Sequence, residues 1–158
     1  MLALDLGAKR IGVAVSDDDG RVATPVGVLE RHRDRARLHR EVADLVTEWE
    51  AGLLLLGLPI DLRGEVGPAA QGVLAERDEL AAVVGVPVEV HDERLTTRIA
   101  EHALRERGDL DGRARRKLVD QVAASVILQD WLDRRGEATP TGEAETVQQE
   151  SDEGRPGA

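Results

Sequence analysis

Short apolar runs separated by turn residues dominate the first thirty residues of the chain. They predict three strands, at about 1–6, 11–16 and 22–29, and the first connection, residues 7–10, is short enough for a hairpin turn. Because consecutive strands with short connections usually pair with each other, these three are expected to form an antiparallel meander.

Helical and strand patterns alternate along the rest of the chain. Five apolar residues recur at a spacing that places them on one face of a helix ending near Gly52. An uninterrupted apolar run follows, which is typical of a strand covered on both faces. The apolar helix residues are Leu38, Val42, Leu45, Val46 and Trp49, and the later predicted elements are strand 53–56, helix 68–84, strand 86–90 and helices 96–107 and 117–134.

This order of elements predicts one α/β domain over residues 1–134. Short connections and right-handed crossovers favour a mixed five-stranded sheet, three antiparallel strands followed by parallel strands, with helices on both faces. Residues 135–158 are rich in Gly, Glu, Gln, Thr and Pro, and we expect them to form a disordered acidic tail.

The composition excludes several classes of protein and site. The absence of cysteine rules out a disulfide framework, a thiolate zinc site and a cysteine nucleophile, and two tryptophans as the only aromatic residues disfavour a base-stacking platform. No apolar run approaches 18 residues, so we expect a cytoplasmic protein with no membrane partner. The net charge of −10 does not exclude a polyanionic substrate, because basic residues cluster locally at 31–40 and 113–117.

A carboxylate interrupts the otherwise apolar first strand at Asp5. Glu93 follows the fifth strand, and Asp120 falls in the first turn of the predicted last helix. If the first, fourth and fifth strands are neighbours, Asp5 and Glu93 can reach the same end of the sheet. A helix packed across that end would bring Asp120 beside them. Taken singly, each has an ordinary explanation: Glu93 can pair with Arg94, and Asp120 can stabilise a helix N-terminus.

Three carboxylates without histidine or cysteine ligands form a hard-oxygen site suited to Mg²⁺ or Mn²⁺. Two such ions would activate a water and stabilise the leaving oxygen in phosphodiester hydrolysis. Only two of the 21 basic residues are lysines, and each lies near a candidate carboxylate: Lys9 four residues after Asp5, Lys117 three residues before Asp120. This placement favours contacts with phosphate groups.

Four segments resemble the motifs of the YqgF family of RNase H-like proteins in order and spacing. These proteins are described as RuvC-like Holliday junction resolvases (RuvX) and as nucleases that mature the 5′ end of pre-16S rRNA. The resemblance covers residues 1 to about 134, and it implies an RNase H-like fold in which Asp5, Glu93 and Asp120 are the catalytic, metal-binding carboxylates. The matching segments are residues 5–17, 57–59, 92–97 and 117–124.

Further residues of these segments are candidates for substrate binding. Ala8 departs from the family, which usually has threonine there, and this removes one hydroxyl contact. Outside the motifs, the arginines of 31–37 and 113–116 could follow a phosphate backbone, and His91 could support the site beside Asp92. The candidate substrate-binding residues are Lys9, Arg10, Arg94, Thr96 and Lys117.

The leading hypothesis is a hydrolase of phosphodiester bonds that uses Mg²⁺ or Mn²⁺ and processes the 5′ end of a structured pre-16S rRNA in ribosome biogenesis. The first alternative is a Holliday junction resolvase acting on branched DNA. A non-cleaving RNA- or transcription-associated factor and an ATP-binding module remain further alternatives, although 158 residues leave no room for the second lobe of the latter. We expect a monomer or a weak dimer.

Overall fold

The computed structural model describes residues 1–61, 63–93, 108 and 111–138 of the chain. Strands precede helices in the first third, and the two kinds of element then alternate. In chain order the elements are β1 (Leu2–Leu6), β2 (Arg10–Ser16), β3 (Ala23–Glu30), α1 (Arg35–Glu48), β4 (Leu54–Leu58), α2 (Pro68–Ala81), β5 (Val88–Asp92) and α3 (Gly112–Ala138).

The described strands form one mixed sheet in the order β3-β2-β1-β4-β5. β1 pairs antiparallel with β2, and Asp5 lies opposite Gly12 in that pair. β4 pairs in parallel with both β1 and β5, so β1, β4 and β5 end at the same edge of the sheet. The predicted meander, the mixed sheet and the neighbouring positions of the first, fourth and fifth strands are confirmed.

Each face of the sheet has its own hydrophobic core. One face packs against α1 and α2 through large aliphatic side chains, which include Leu4, Leu56, Leu38 and Leu80. The other face packs against α3 and contains small strand residues, among them Ala3 and Ala14. Helices therefore cover both faces, as predicted, and α3 can approach its face closely.

The ends of β4 and β5 differ from the prediction. β4 continues through Gly57 and Leu58, which pair with His91 and Asp92, so the strand ends two residues later than predicted. β5 begins two residues later than predicted because Pro87 has no N–H to donate and only its carbonyl takes part, accepting from Leu54 N at 3.0 Å.

The last helix is longer than predicted at both ends. Asp111 caps its N-terminus, because Oδ1 accepts hydrogen bonds from Arg113 N at 3.0 Å and Ala114 N at 2.7 Å. The helix then runs to Ala138, beyond the predicted end at residue 134. The predicted helix 96–107 and nearly all of the predicted tail lie outside the described residues. Within the described part of the chain, no helix has the length and apolar character needed to span a membrane.

Candidate active site

Asp5 lies on the face of the sheet that packs against α3. It alternates with Ala3, which belongs to the α3-side core, and it pairs across the strand with Gly12. The carboxyl group is largely removed from solvent, and this burial, together with the charge of Asp120, raises its pKa to about 6. The carboxylate of Asp5 is therefore destabilised in the absence of a cation.

Glu93 reaches the same end of the sheet from the residue that follows β5. Its backbone N–H donates to Leu58 O at 3.1 Å, which extends the pairing of β5 with β4. A Cβ atom at Gly57 would collide with Glu93 Oε2 and would lie 2.6 Å from Ile127 Cδ1, so the glycine makes room for both. Burial, the charge of Asp5 and the charge of Asp92 raise the pKa of Glu93 to about 7.

Asp120 approaches this end of the sheet from α3. A Cβ atom at Gly12 would overlap Asp120 O, so the helix backbone passes directly over the glycine. Because α3 begins at Gly112, Asp120 lies in its third turn, and the predicted position in the first turn is wrong. The ordinary explanation of Asp120 as a residue that stabilises a helix N-terminus is therefore removed.

The Asp120 carboxylate is bound by a cation from the chain itself. Arg10 Nε donates to Asp120 Oδ2 at 2.6 Å, and the two side chains are 27% and 22% exposed. Arg10 is the first residue of β2, so this ion pair connects the sheet to α3. The pair was not predicted, because 110 residues separate its partners.

The three carboxylates share one end of the sheet without converging on a single point. The charge of Asp120 contributes to the raised pKa of Asp5, and the charge of Asp5 contributes to the raised pKa of Glu93, so each of these two pairs interacts electrostatically. Among the described residues, however, no three Asp, Glu, His or Cys side chains are already close enough together to hold a metal ion. The donor set fits a hard divalent cation chemically, because all its ligand atoms are carboxylate oxygens and positive charge would relieve their repulsion.

A network behind the turn between β1 and β2 fixes the turn's backbone. Arg31 N donates to Lys9 O at 3.0 Å, and Arg31 Nε donates to Gly7 O at 2.8 Å. Arg31 Nη1 also donates to the buried carboxylate of Glu76 at 3.2 Å, and Glu76 Oε1 lies 3.2 Å from Nε2 of the buried His39. The predicted role of Arg31 in a phosphate-binding strip is therefore not what the structure shows.

The other predicted residues differ in how far the structure describes them. Lys9 is exposed at the turn near Asp5, where phosphate could reach it. His91 Nε2 contacts Asp130 Oδ2 at 2.6 Å, so this histidine connects β5 to α3. Lys117 belongs to α3, although its side chain is outside what the structure describes. Arg94 and Thr96 also lie outside the described residues.

Sequence comparison identifies the family. A family model described as "RuvX: Holliday junction resolvase" matches residues 1–134. A protein of Anaeromyxobacter sp. (strain Fw109-5) named "Putative pre-16S rRNA nuclease" is 48% identical over 134 residues, which are 85% of this chain and 96% of the relative. A relative of the same name from Chloroflexus aggregans is 44% identical over 85% of this chain and 94% of its own length.

Solved structures agree with the fold. Thermus thermophilus RuvC, solved with a Holliday junction substrate, superimposes with a TM-score of 0.52 at 19% identity, covering 86% of this chain and 97% of RuvC. The fowlpox virus Holliday junction resolvase gives a TM-score of 0.51 at 11% identity over 85% of this chain and 99% of the viral protein. The chain therefore belongs to the RuvX (YqgF) family of nucleases with an RNase H-like fold.

Proposed function

We propose that this protein is a metal-dependent nuclease that processes the 5′ end of pre-16S rRNA. One observation carries the chemical part of the proposal: Asp5, Glu93 and Asp120 lie at one end of the sheet, close enough for their charges to repel. Burial, together with this repulsion, raises the pKa of Asp5 to about 6 and that of Glu93 to about 7. Such an arrangement stores unfavourable energy that a bound divalent cation would release.

Each residue near this end of the sheet has a distinct role in the proposal. Asp5, Glu93 and Asp120 would hold Mg²⁺ or Mn²⁺, with two ions as the expected number. When bound, such a cation lowers the pKa of water and stabilises charge on the leaving oxygen. The exposed ammonium of Lys9 binds a phosphate of the substrate as a compact charge. The remaining proposed phosphate and backbone contacts are Arg10, Arg94, Thr96 and Lys117.

The proposed substrate rests on the relatives. Two of them, 48% and 44% identical, carry the name of a nuclease for pre-16S rRNA. We also propose that the protein acts in the cytoplasm as a monomer or a weak dimer. Residues 139–158, which follow α3, would form an acidic appendage to the catalytic domain. The family assignment supports this reading over an ATP-binding module and over a non-cleaving factor.

A second candidate is a resolvase that acts on four-way DNA junctions. The description of the matching family model favours it. Carboxylates and metal ions read only the phosphodiester group, so the same chemistry would serve both substrates, and the choice between them depends on contacts with the 2′-hydroxyl and with groove shape.

The experiment offers both substrates to the purified full-length protein in Mn²⁺ and, in parallel, in Mg²⁺. One substrate is a 16S rRNA fragment with its 5′ extension, and the other is a four-way DNA junction. We expect the RNA to be shortened to a defined 5′ end while the junction stays intact. Paired nicks in the junction with intact RNA would replace the proposed function by the second candidate, and cleavage of neither substrate would contradict both.

A further inference from the structure

Arg10 forms an ion pair with Asp120, one of the three proposed metal-binding carboxylates. The 2.6 Å contact between Arg10 Nε and Asp120 Oδ2 is short, and only about a quarter of each side chain is exposed. A partly buried, charge-assisted hydrogen bond of this length is among the stronger polar contacts in a protein. Asp120 thus already has a cationic partner within the chain, the Arg10 guanidinium.

A divalent cation and the Arg10 guanidinium compete for the same carboxylate. The guanidinium carries a full positive charge and no acceptor atom, so it cannot act as a ligand and repels an ion placed beside it. The described carboxylates and histidines do not yet gather three ligands around one point. Arg10 contacts only Asp120 Oδ2, but its charge opposes a cation at either carboxylate oxygen, so release of Arg10 favours the recruitment of Asp120 to such a point.

Once released, the Arg10 side chain is well placed to bind a phosphate of the nucleic acid. Arg10 directly follows Lys9, which is exposed at the turn, so both cations project from the same short segment at the end of the sheet. A planar guanidinium binds two phosphate oxygens at once, in the geometry it uses for a carboxylate. Exchange of one anion for the other would need only a side-chain movement.

We propose that Arg10 is an exchangeable counter-ion of Asp120, released when a divalent cation binds and then used to bind a phosphate of the nucleic acid. The proposal rests on the proposed function, because it assumes that Asp5, Glu93 and Asp120 form the cation site. It has a thermodynamic consequence: cation and nucleic acid must strengthen each other's binding, since each favours the state in which the ion pair is broken.

The first test measures Mn²⁺ affinity without nucleic acid, from the electron paramagnetic resonance signal of free Mn²⁺. In Arg10→Gln the competitor is gone, so Mn²⁺ should bind up to about fivefold more tightly than in the wild type, as expected for the loss of a partly exposed ion pair. Lys9→Gln removes the same charge from the same turn without breaking the pair. It should give a smaller change, and Arg10→Lys should fall between the wild type and Arg10→Gln.

The outcomes separate the two claims. If Asp5→Asn binds Mn²⁺ as tightly as the wild type, the proposed cation site is wrong and the exchange falls with it. If Asp5→Asn weakens binding but Arg10→Gln does not exceed Lys9→Gln, the cation site stands and the exchange alone is overturned. Circular dichroism of each variant shows that it is folded before its affinity is compared.

The second test measures the coupling directly. A 5′-extended 16S rRNA fragment is titrated with the wild-type protein in EDTA and in Ca²⁺, a divalent ion chosen to bind without supporting turnover. Ca²⁺ should strengthen RNA binding several-fold in the wild type and clearly less in Arg10→Gln, whereas Lys9→Gln should weaken binding in both buffers but keep the Ca²⁺ effect. Equal Ca²⁺ effects in the wild type and Arg10→Gln would overturn the proposal.

Discussion

Asp5 lowers the stability of the fold at a position where the proposed function needs a carboxylate. Its position opposite Gly12 inside the sheet is one where an apolar residue would be more stable. Burial and the nearby Asp120 raise its pKa to about 6, which means that the folded state holds the proton more tightly than the unfolded chain does. The proposed role of Asp5 as a ligand of a divalent cation would explain why a carboxylate occupies this position.

This raised pKa gives a signed prediction for stability. The folded state binds the Asp5 proton up to a higher pH than the unfolded chain does. The stability that protonated Asp5 contributes in EDTA is therefore fully present below pH 4 and is lost as the pH rises through about 6. Asp5→Asn cannot ionise. It should match the wild type at pH 4 and exceed its unfolding free energy by about 1–3 kcal/mol at pH 8, measured by urea denaturation.

Asp17 provides the control of opposite sign. Hydrogen bonds from the backbone N–H groups of Val22 and Arg21 lower the pKa of Asp17, so the ionised form is the one that stabilises the fold. Asp17→Asn should not gain stability at pH 8. If Asp5→Asn is also no more stable than the wild type at pH 8, the unfavourable burial of the Asp5 carboxylate is refuted.

At the scale of elements, the close contact between α3 and the sheet brings Asp120 to the site. The helix backbone lies over Gly12, and the small residues Ala3 and Ala14 continue the same surface. A larger residue in this surface would move the helix and, with it, the carboxylate. The glycine in β2 is therefore as important for the site as the side chains that form it.

Gly12→Ala tests this contact. The added methyl group would overlap the backbone carbonyl of Asp120, and α3 would have to shift, at a cost of about 1–3 kcal/mol in unfolding free energy. Gly27→Ala in β3 is the matched control, since a Cβ atom there meets nothing within 4 Å. Thermal or urea unfolding that ranks the two variants equally would contradict the close packing.

Another prediction at this scale concerns the network of Arg31, Glu76 and His39, which joins the turn between β1 and β2 to α1 and α2. Arg31→Gln leaves the carboxylate of Glu76, 6% exposed, with His39 as its remaining described partner, and should cost about 3 kcal/mol in unfolding free energy. Arg35→Gln breaks an exposed pair with Glu79 and should cost less than about 1 kcal/mol. Similar losses of unfolding free energy in the two variants would contradict the prediction that the buried Arg31 network stabilises the fold more than an exposed ion pair does.

At the scale of the whole molecule, the sequence predicts the sheet better than the partners of individual charges. The order of the strands follows from apolar periodicity and connection length, and Asp5 is conspicuous because it breaks an apolar run. The predicted start of the last helix is five residues too late because the Asp111 cap was not predicted, and this places Asp120 in the first turn instead of the third. The alternation of side chains along a strand predicts which face of the sheet each residue lies on. It does not predict which charged residue, distant in sequence, packs against that face.

The unpredicted contacts connect residues far apart in the sequence. Arg10 meets Asp120 across 110 residues, Arg31 meets Glu76 across 45, and His91 meets Asp130 across 39. Local sequence patterns do not predict such pairs, because the pairs depend on how the helices pack against the sheet. Two of them give an internal partner to an arginine that the sequence offers as a phosphate contact, namely Arg10 and Arg31.

The most direct test of the central claim compares cleavage of the 5′-extended 16S rRNA fragment by the wild type and Asp5→Asn, each in Mn²⁺ and in EDTA. Asp17→Asn serves as the control for the loss of one carboxylate elsewhere on the protein. The account predicts cleavage by the wild type and by Asp17→Asn in Mn²⁺ only, and a rate at least a hundredfold lower for folded Asp5→Asn, about 3 kcal/mol in activation free energy. Undiminished cleavage by Asp5→Asn, or cleavage that persists in EDTA, would contradict it.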